Sequence, residues 1–238
     1  MQGSVRLPAG SSARQARAER ILDITSELLL LHGYKRVTID DVASRAGVGK
    51  GTIYLHWKTR EALFWAVLGR EAMRMLEQLT ADLSGDAGLA LPHRLMRAIF
   101  LEVSHRPLVR ALLLSDAEVL GNLAKDETVL TAQRELAGNA SYLELLCEQG
   151  LLRTGLTAET AGHILDSVMR GFLAVNETGE HGGLPLEKRA DLLADVLQRS
   201  LEIEGRPPTD AVAALNARVT GLLAGIAAVL RDQLQRAY

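Results

Sequence analysis

Apolar residues recur at intervals of three and four along most of the chain. Ile21, Ile24, Leu28 and Leu31 form one such stripe, widened by Leu22 and Leu29 and stopped at Gly33. Most of the 6 prolines sit where helices should start or part, at Pro92, Pro107, Pro185, Pro207 and Pro208. No run alternates β-branched and polar residues as a strand would, and no repeat of 20–50 residues is visible. The pattern predicts an all-α protein of about nine or ten helices. Residues 1–13, rich in Gly, Ser and Pro, read as a disordered tail. GEHGGLPL at 179–186 reads as a loop, and GRPPTD at 205–210 separates a final helix, 210–236, from the rest.

That helix spaces Val212, Leu215, Val219, Leu222, Ile226 and Val229 at alternating 3 and 4. Its apolarity raises the question of a membrane span. Asn216, Arg218 and Thr220 interrupt it, and Gly221–Leu230 is too short for a bilayer core of about 30 Å. It is expected to pack on protein, with Gly221 and Gly225 permitting close approach.

Composition adds three constraints. Hydrophobic residues make up 47% of the 238 and aromatic residues only 4%, so the core must be aliphatic. The one cysteine, Cys147, excludes an intramolecular disulfide framework and a multi-cysteine zinc site. MQGSVRLPAGSSARQAR lacks the apolar region of a secretory signal, which points to the cytoplasm. The net charge of −2 hides an asymmetry: residues 1–70 carry 11 Lys+Arg against 6 Asp+Glu (+5), and the remainder carries 16 against 23 (−7). A basic first third suggests that one small unit meets a polyanion.

The informative stretch is TIDDVASRAGVGKGTIYLHWKTREAL, residues 38–63. Thr38 is a good N-cap, and Asp40 and Asp41 suit the positive end of a helix dipole. A short helix from Ile39 to about Ala46 turns Ile39, Val42, Ala43 and Ala46 inward. Gly47, Val48 and Gly49 form a tight turn. A second helix begins near Lys50, buries Ile53 and Trp57, and displays Lys50, Gly51, Thr52, Tyr54 and His56. Two closely crossing helices, the second presenting donors to base edges and phosphates, make a helix–turn–helix.

Arg14, Arg17 and Arg20 precede this motif, and WKTREAL opens a long helix after it. The run LLLLHGYKRVTIDDVASRAGVGKGTIYLHWKTREALFWAVL resembles the amino-terminal domain of the TetR family of transcriptional regulators. The resemblance covers about residues 14–68. It implies a three-helix DNA-binding domain at 14–58, followed at 59–238 by a larger helical domain that binds a small effector and dimerises. Carried over, Gly49, Lys50, Gly51, Thr52, Tyr54 and His56 would face double-stranded DNA. Thr38 would cap its helix and touch a phosphate, and Lys58 and Arg60 would reach the backbone. Trp57 stands where the family commonly has phenylalanine, and Leu55 where it often has a DNA-facing aromatic.

Elsewhere the recognisable chemistry is sparse. The six histidines form no HExxH pair, no glycine-rich stretch follows a strand, and Cys147 lies in a helical run. The reading is a sequence-specific regulator, a repressor released by an effector, without cofactor, metal or enzymatic activity. An all-helical enzyme and a helical adaptor are the alternatives; the first lacks convergent titratable groups, and the second does not need the charge split. Met96, Phe100, His105, Leu113, Tyr142, Leu146, Met169 and Phe172 are the expected lining of an effector pocket, with Asn139 and Asn176 as further polar contacts. A two-fold homodimer on a palindromic operator, with no membrane partner, is expected through helices near 158–178 and 187–204. There Ala161, Leu165, Val168, Phe172 and Val175 make a stripe.

Overall fold

In a computed structural model of the chain, residues 9–125, 127, 130–131, 139–175 and 183–237 are described. Eleven α-helices occur among them: α1 Ala9–Arg36, α2 Ile39–Ala46, α3 Lys50–Tyr54, α4 Arg60–Gly85, α5 Pro92–Ser104, α6 Pro107–Leu114, α7 Ala117–Leu120, α8 Asn139–Glu148, α9 Ala158–Ala174, α10 Leu186–Leu201 and α11 Thr209–Ala237. Extended pairing among the described residues is limited to the bridge between Leu152 and Glu202. The protein is all-α, as the periodicity predicts.

Helix α1 begins at Ala9, so the last part of the segment expected as a tail is helical. Ala9 and Ala13 are strong helix formers, and no proline follows Pro8 until Pro92. Residues 1–8 lie outside the described residues, as do 179–182 of the expected loop and Asn176.

The first three helices enclose Ile21, Leu22, Val42, Ile53 and Trp57, all nearly inaccessible. Helix α4 joins them to the rest, and Leu63, Phe64, Trp65, Ala66, Val67, Leu68 and Gly69 are buried in succession. Burial on every side of a helix marks it as the centre of the molecule. Arg70, largely buried, ties it to α1 through Glu19 (3.1 Å) and Asp23 (2.8 Å). A second joint lies at the end of α1. A Cβ on Gly33 would sit 2.8 Å from the carbonyl oxygen of Glu118, and one on Gly121 only 2.5 Å from the Tyr34 ring.

Helix α10 packs along α5. Its end is fixed by Glu202, which accepts from both the backbone N–H and the ring Nδ1 of His93 at 2.7 Å. Helix α11 runs antiparallel to α4: Asn216 donates to the Leu83 carbonyl (3.3 Å), while Leu234 lies over Gly69. A Cβ on Gly69 would come within 2.5 Å of Leu234. The close approach therefore uses Gly69, not Gly221 or Gly225, which face open space. The buried stripe of α11 is Leu215, Val219, Leu223, Ile226 and Leu230; Val229 is exposed and Val212 and Leu222 are half-buried. A 3.5-residue pattern drifts about 20° per heptad on a straight helix, which turns Val229 out and Leu230 in.

Candidate nucleic-acid interface

The local sequence sets the geometry of α2 and α3. Thr38 and Asp41 close a capping box: the Asp41 N–H donates to the Thr38 hydroxyl oxygen (3.2 Å), and the Thr38 N–H donates to the Asp41 carboxylate (2.9 Å). The Thr38 hydroxyl also donates to that carboxylate (2.6 Å), and these bonds hold the Asp41 carboxyl below its ordinary range. Gly47 ends α2 in the left-handed region (φ 65, ψ 37), where a side chain would be strained. Gly49 then caps α3 with extended backbone. Between the two breaks the chain reverses from α2 into α3.

Lys50, Gly51 and Tyr54 are exposed along α3, and Thr52 is half-buried. Ile53 and Trp57 are buried beneath them, as the spacing predicts. Lys50 Nζ lies 2.6 Å from Asp40 Oδ1 on the first turn of α2. A cation at a helix start opposes the dipole, and Asp40 offsets that cost. Both side chains are more than half exposed, so the pair contributes little to stability and a phosphate can displace it. Gly49, Lys58 and Thr38 are exposed as well.

Two expected contacts are not on that surface. His56 is 7% exposed, with its ring 5.2 Å from that of Trp57. The chain leaves α3 after Tyr54, which turns residue 56 inward and Leu55, at 68% exposure, outward. Burial is the main cause that lowers the His56 pKa, aided by Arg14 and Arg17. Arg60 also turns inward: its guanidinium lies 4.4 Å from the Tyr34 ring centre and 5.4 Å from that of Phe64, and it donates to the Val37 carbonyl (3.2 Å). Cation–π stacking holds it in the joint between α1 and α4. Sequence reasoning left Arg14 and Arg17 off the interface, although their spacing puts both on one face of α1. Arg14 reaches the Leu55 carbonyl (3.5 Å), which sets a cation beside α3.

The expected effector lining divides. Met96, Phe100, Tyr142, Leu146 and Met169 are buried in one continuous core, with Leu113 and Phe172 packed against it. Phe172 meets Phe100 edge to face at 6.3 Å. The Tyr142 hydroxyl donates to the Ala90 carbonyl (2.8 Å), and complete burial raises its pKa well above 10.0. His105 does not join them. It ends α5, is exposed, and borders a surface groove with Asp23, Arg70 and Pro107. A larger groove, about 790 Å³ between α8 and α9, is lined by Leu143, Glu144, Glu159, Gly162, His163 and Asp166 among others, and by none of the expected lining residues. The stripe expected for dimerisation also divides: Ala161 and Leu165 are monomer core, Val168 and Phe172 are half-buried, and Val175 is 50% exposed.

Comparisons with known proteins place this arrangement. Residues 21–67 match the family model described as bacterial regulatory proteins, tetR family. The HTH-type transcriptional regulator YvkB of Bacillus subtilis is 26% identical over 175 residues, 71% of this chain and 89% of that protein. Its HTH-type regulator YhgD is 30% identical over 138 residues, 57% of this chain and 69% of that protein. Among solved structures, a SmeT–triclosan complex superposes with a TM-score of 0.59 at 22% identity, over 82% of this chain and 96% of that one. The capped α2–α3 pair, the all-α body behind it and these relatives together establish that the chain belongs to the tetR family of DNA-binding transcriptional regulators.

Proposed function

We propose that the chain is a repressor whose residues 14–58 read a palindromic operator as one half of a homodimer in the cytoplasm. Residues 59–238 form its effector-binding and dimerising domain. The observation that carries this reading is the exposed face of α3, on which Lys50, Thr52 and Tyr54 stand on a base locked by the Thr38–Asp41 box and Gly47. Lys50 and Thr52 supply donors to base edges, Tyr54 a flat amphipathic ring, and Gly49 and Gly51 allow the backbone close to the groove. Thr38 and Lys58 meet phosphates, with Arg14 and Arg17 on the flank. One helix reads few bases, so two must enter successive major grooves about 34–36 Å apart. The two-fold contact uses the outer sides of α9 and α10, where Val175, Leu192 and Val196 are exposed.

The effector enters the core around Phe100, Met96, Tyr142, Leu146, Met169, Leu113 and Phe172. SmeT, of the same fold, was solved with triclosan, an apolar aromatic of the kind such a lining suits. A ligand releases DNA only if it binds the non-operator conformation more tightly. The route to the DNA unit is α4, through Phe64 and Trp65. By linkage, operator weakens effector binding by the same factor.

Selection of bound duplexes from random DNA, followed by titration with salt, tests the reading. A preferred palindrome with affinity falling steeply as salt rises is expected. Lys50→Ala should weaken operator binding about 10- to 100-fold, as expected for loss of about 1–3 kcal/mol of contact, with the melting temperature nearly unchanged. Equal binding to all duplexes at physiological salt would sink it.

A further inference from the structure

Helix α4 opens with a cation, Arg60, directly after its N-cap Thr59. A positive charge at a helix start opposes the dipole and needs another reason. The Arg60 guanidinium supplies one by meeting four groups at once. Its centre lies 4.4 Å from that of the Tyr34 ring and 5.4 Å from that of Phe64. Nη1 donates to the Val37 carbonyl (3.2 Å), and Nε lies 3.5 Å from Glu61 Oε1. The Tyr34 hydroxyl donates to that same carboxylate oxygen at 2.9 Å. Tyr34, Val37 and Phe64 are buried, and the Arg60 side chain itself is 29% exposed.

The places of these partners along the chain give the cluster its meaning. Val37 is the last residue before the Thr38 cap of α2, and Arg60 is the first residue of α4. The hydrogen bond between them, 23 positions apart, joins the two ends of the segment that holds both α2 and α3. Tyr34 brings the end of α1 into the same joint, where Gly121 packs against its ring. A guanidinium suits this place and an ammonium does not, because it is flat enough to lie on a ring and carries its donors in one plane. To reach a phosphate instead, Arg60 would have to leave both rings and withdraw its donor from the carbonyl of buried Val37, which is costly. The Glu61 carboxylate beside it, half exposed, also repels an anion there.

We propose that Arg60 is a positioning residue for DNA reading. It closes the base of the α2–α3 segment and holds α3 in the arrangement that enters the groove, without itself touching DNA. The inference rests on the operator reading above.

The test measures the affinity of the full chain for the duplex it selects from random DNA, across a range of salt and well below each variant's melting temperature. Arg60→Met should weaken binding about 3- to 30-fold, the span of a cation–π contact expressed as lost population of the reading arrangement. The slope of log affinity against log salt should stay that of the parent. For scale, a lost phosphate contact, as expected of Lys58→Ala, flattens that slope by about 0.9. Arg60→Lys should bind about as weakly as Arg60→Met despite its charge, and Tyr34→Phe, which keeps the ring, should bind like the parent. In the DNA-free chain, hydrogen exchange should quicken in α2 for both Arg60 variants and stay unchanged in α10. A slope flattened by about 0.9 in Arg60→Met, or parental affinity in Arg60→Lys, would overturn the proposal and make Arg60 a phosphate contact. Unchanged exchange in α2 would overturn it as well. A parent that selects no duplex refutes the operator reading instead, and the exchange result then decides the joint alone.

Discussion

In the DNA-binding unit both ends of α2 are made by neighbours: Thr38 is capped by Asp41, and Gly47 closes on Ala43 and Ser44. In the rest of the chain local caps such as Thr157 with Thr160 are joined by distant ties: His93 to Glu202, Arg97 to Asp191, Asn216 to Leu83. The contrast separates two mechanical roles. Short-range caps set where α2 starts and where it turns toward α3 from residues within four positions. Long-range ties join α5 to α10 and α11 to α4, so the body behind the DNA-binding unit is held by residues far apart in the chain. Tyr34 stands at the border, edge to face with Phe64 at 5.4 Å and donating to Glu61 at 2.9 Å. Burial is the main cause that raises its pKa.

The contrast can be broken most strongly at Glu202. Its carboxylate is 8% exposed and holds the first turn of α5. Glu202→Ala should cost about 1.5–3 kcal/mol, the range for hydrogen bonds to a charged group, or roughly 4–8 °C in a thermal melt. The α2–α3 amides should keep their hydrogen-exchange protection. Loss of protection there equal to that in α5 would show one cooperative unit instead of two. Thr38→Ala is the converse: about 1 kcal/mol for a lost N-cap, with exchange accelerated in α2 and unchanged in α10.

The smallest effect is a pH dependence. His56 has its folded pKa below the ordinary 6.5, so the unfolded chain binds a proton that the folded one resists. Stability is then full above about pH 6.5 and is lost as pH falls through the folded value. His56→Gln should flatten the melting temperature between pH 7 and 5. Asp41 and Asp86, held low by hydrogen bonds from Thr38 and Arg94, lose their contribution only below the ordinary 3.8, so the two windows separate. An equally steep profile in His56→Gln would assign the loss elsewhere.

Legibility followed the same division. The start of α2 and the turn into α3 could be read closely because capping and turn chemistry act within four positions. His56 was misplaced because a helical period was extended two residues past the end of α3. Arg60 was misplaced because nothing local announces that Tyr34 and Phe64 will sandwich it. His105 looked inward by composition, but it ends a helix and stays outside. In α11 the apolar period was legible and its exact phase was not, since phase depends on which partner helix receives it. That partner, α4, lies more than a hundred residues earlier.

The antiparallel seating of α11 on α4 also shapes how the chain is made. Gly69 must wait for Leu234, and 165 residues (234 − 69) separate them. At the usual elongation of about 5–20 residues per second, roughly 10–30 s pass between synthesis of the two. During that interval the DNA-binding unit, closed by its own caps, can already fold on the ribosome. The flank of α4 that later receives Leu215, Val219 and Leu230 stays uncovered, the period in which nascent chains most need a chaperone.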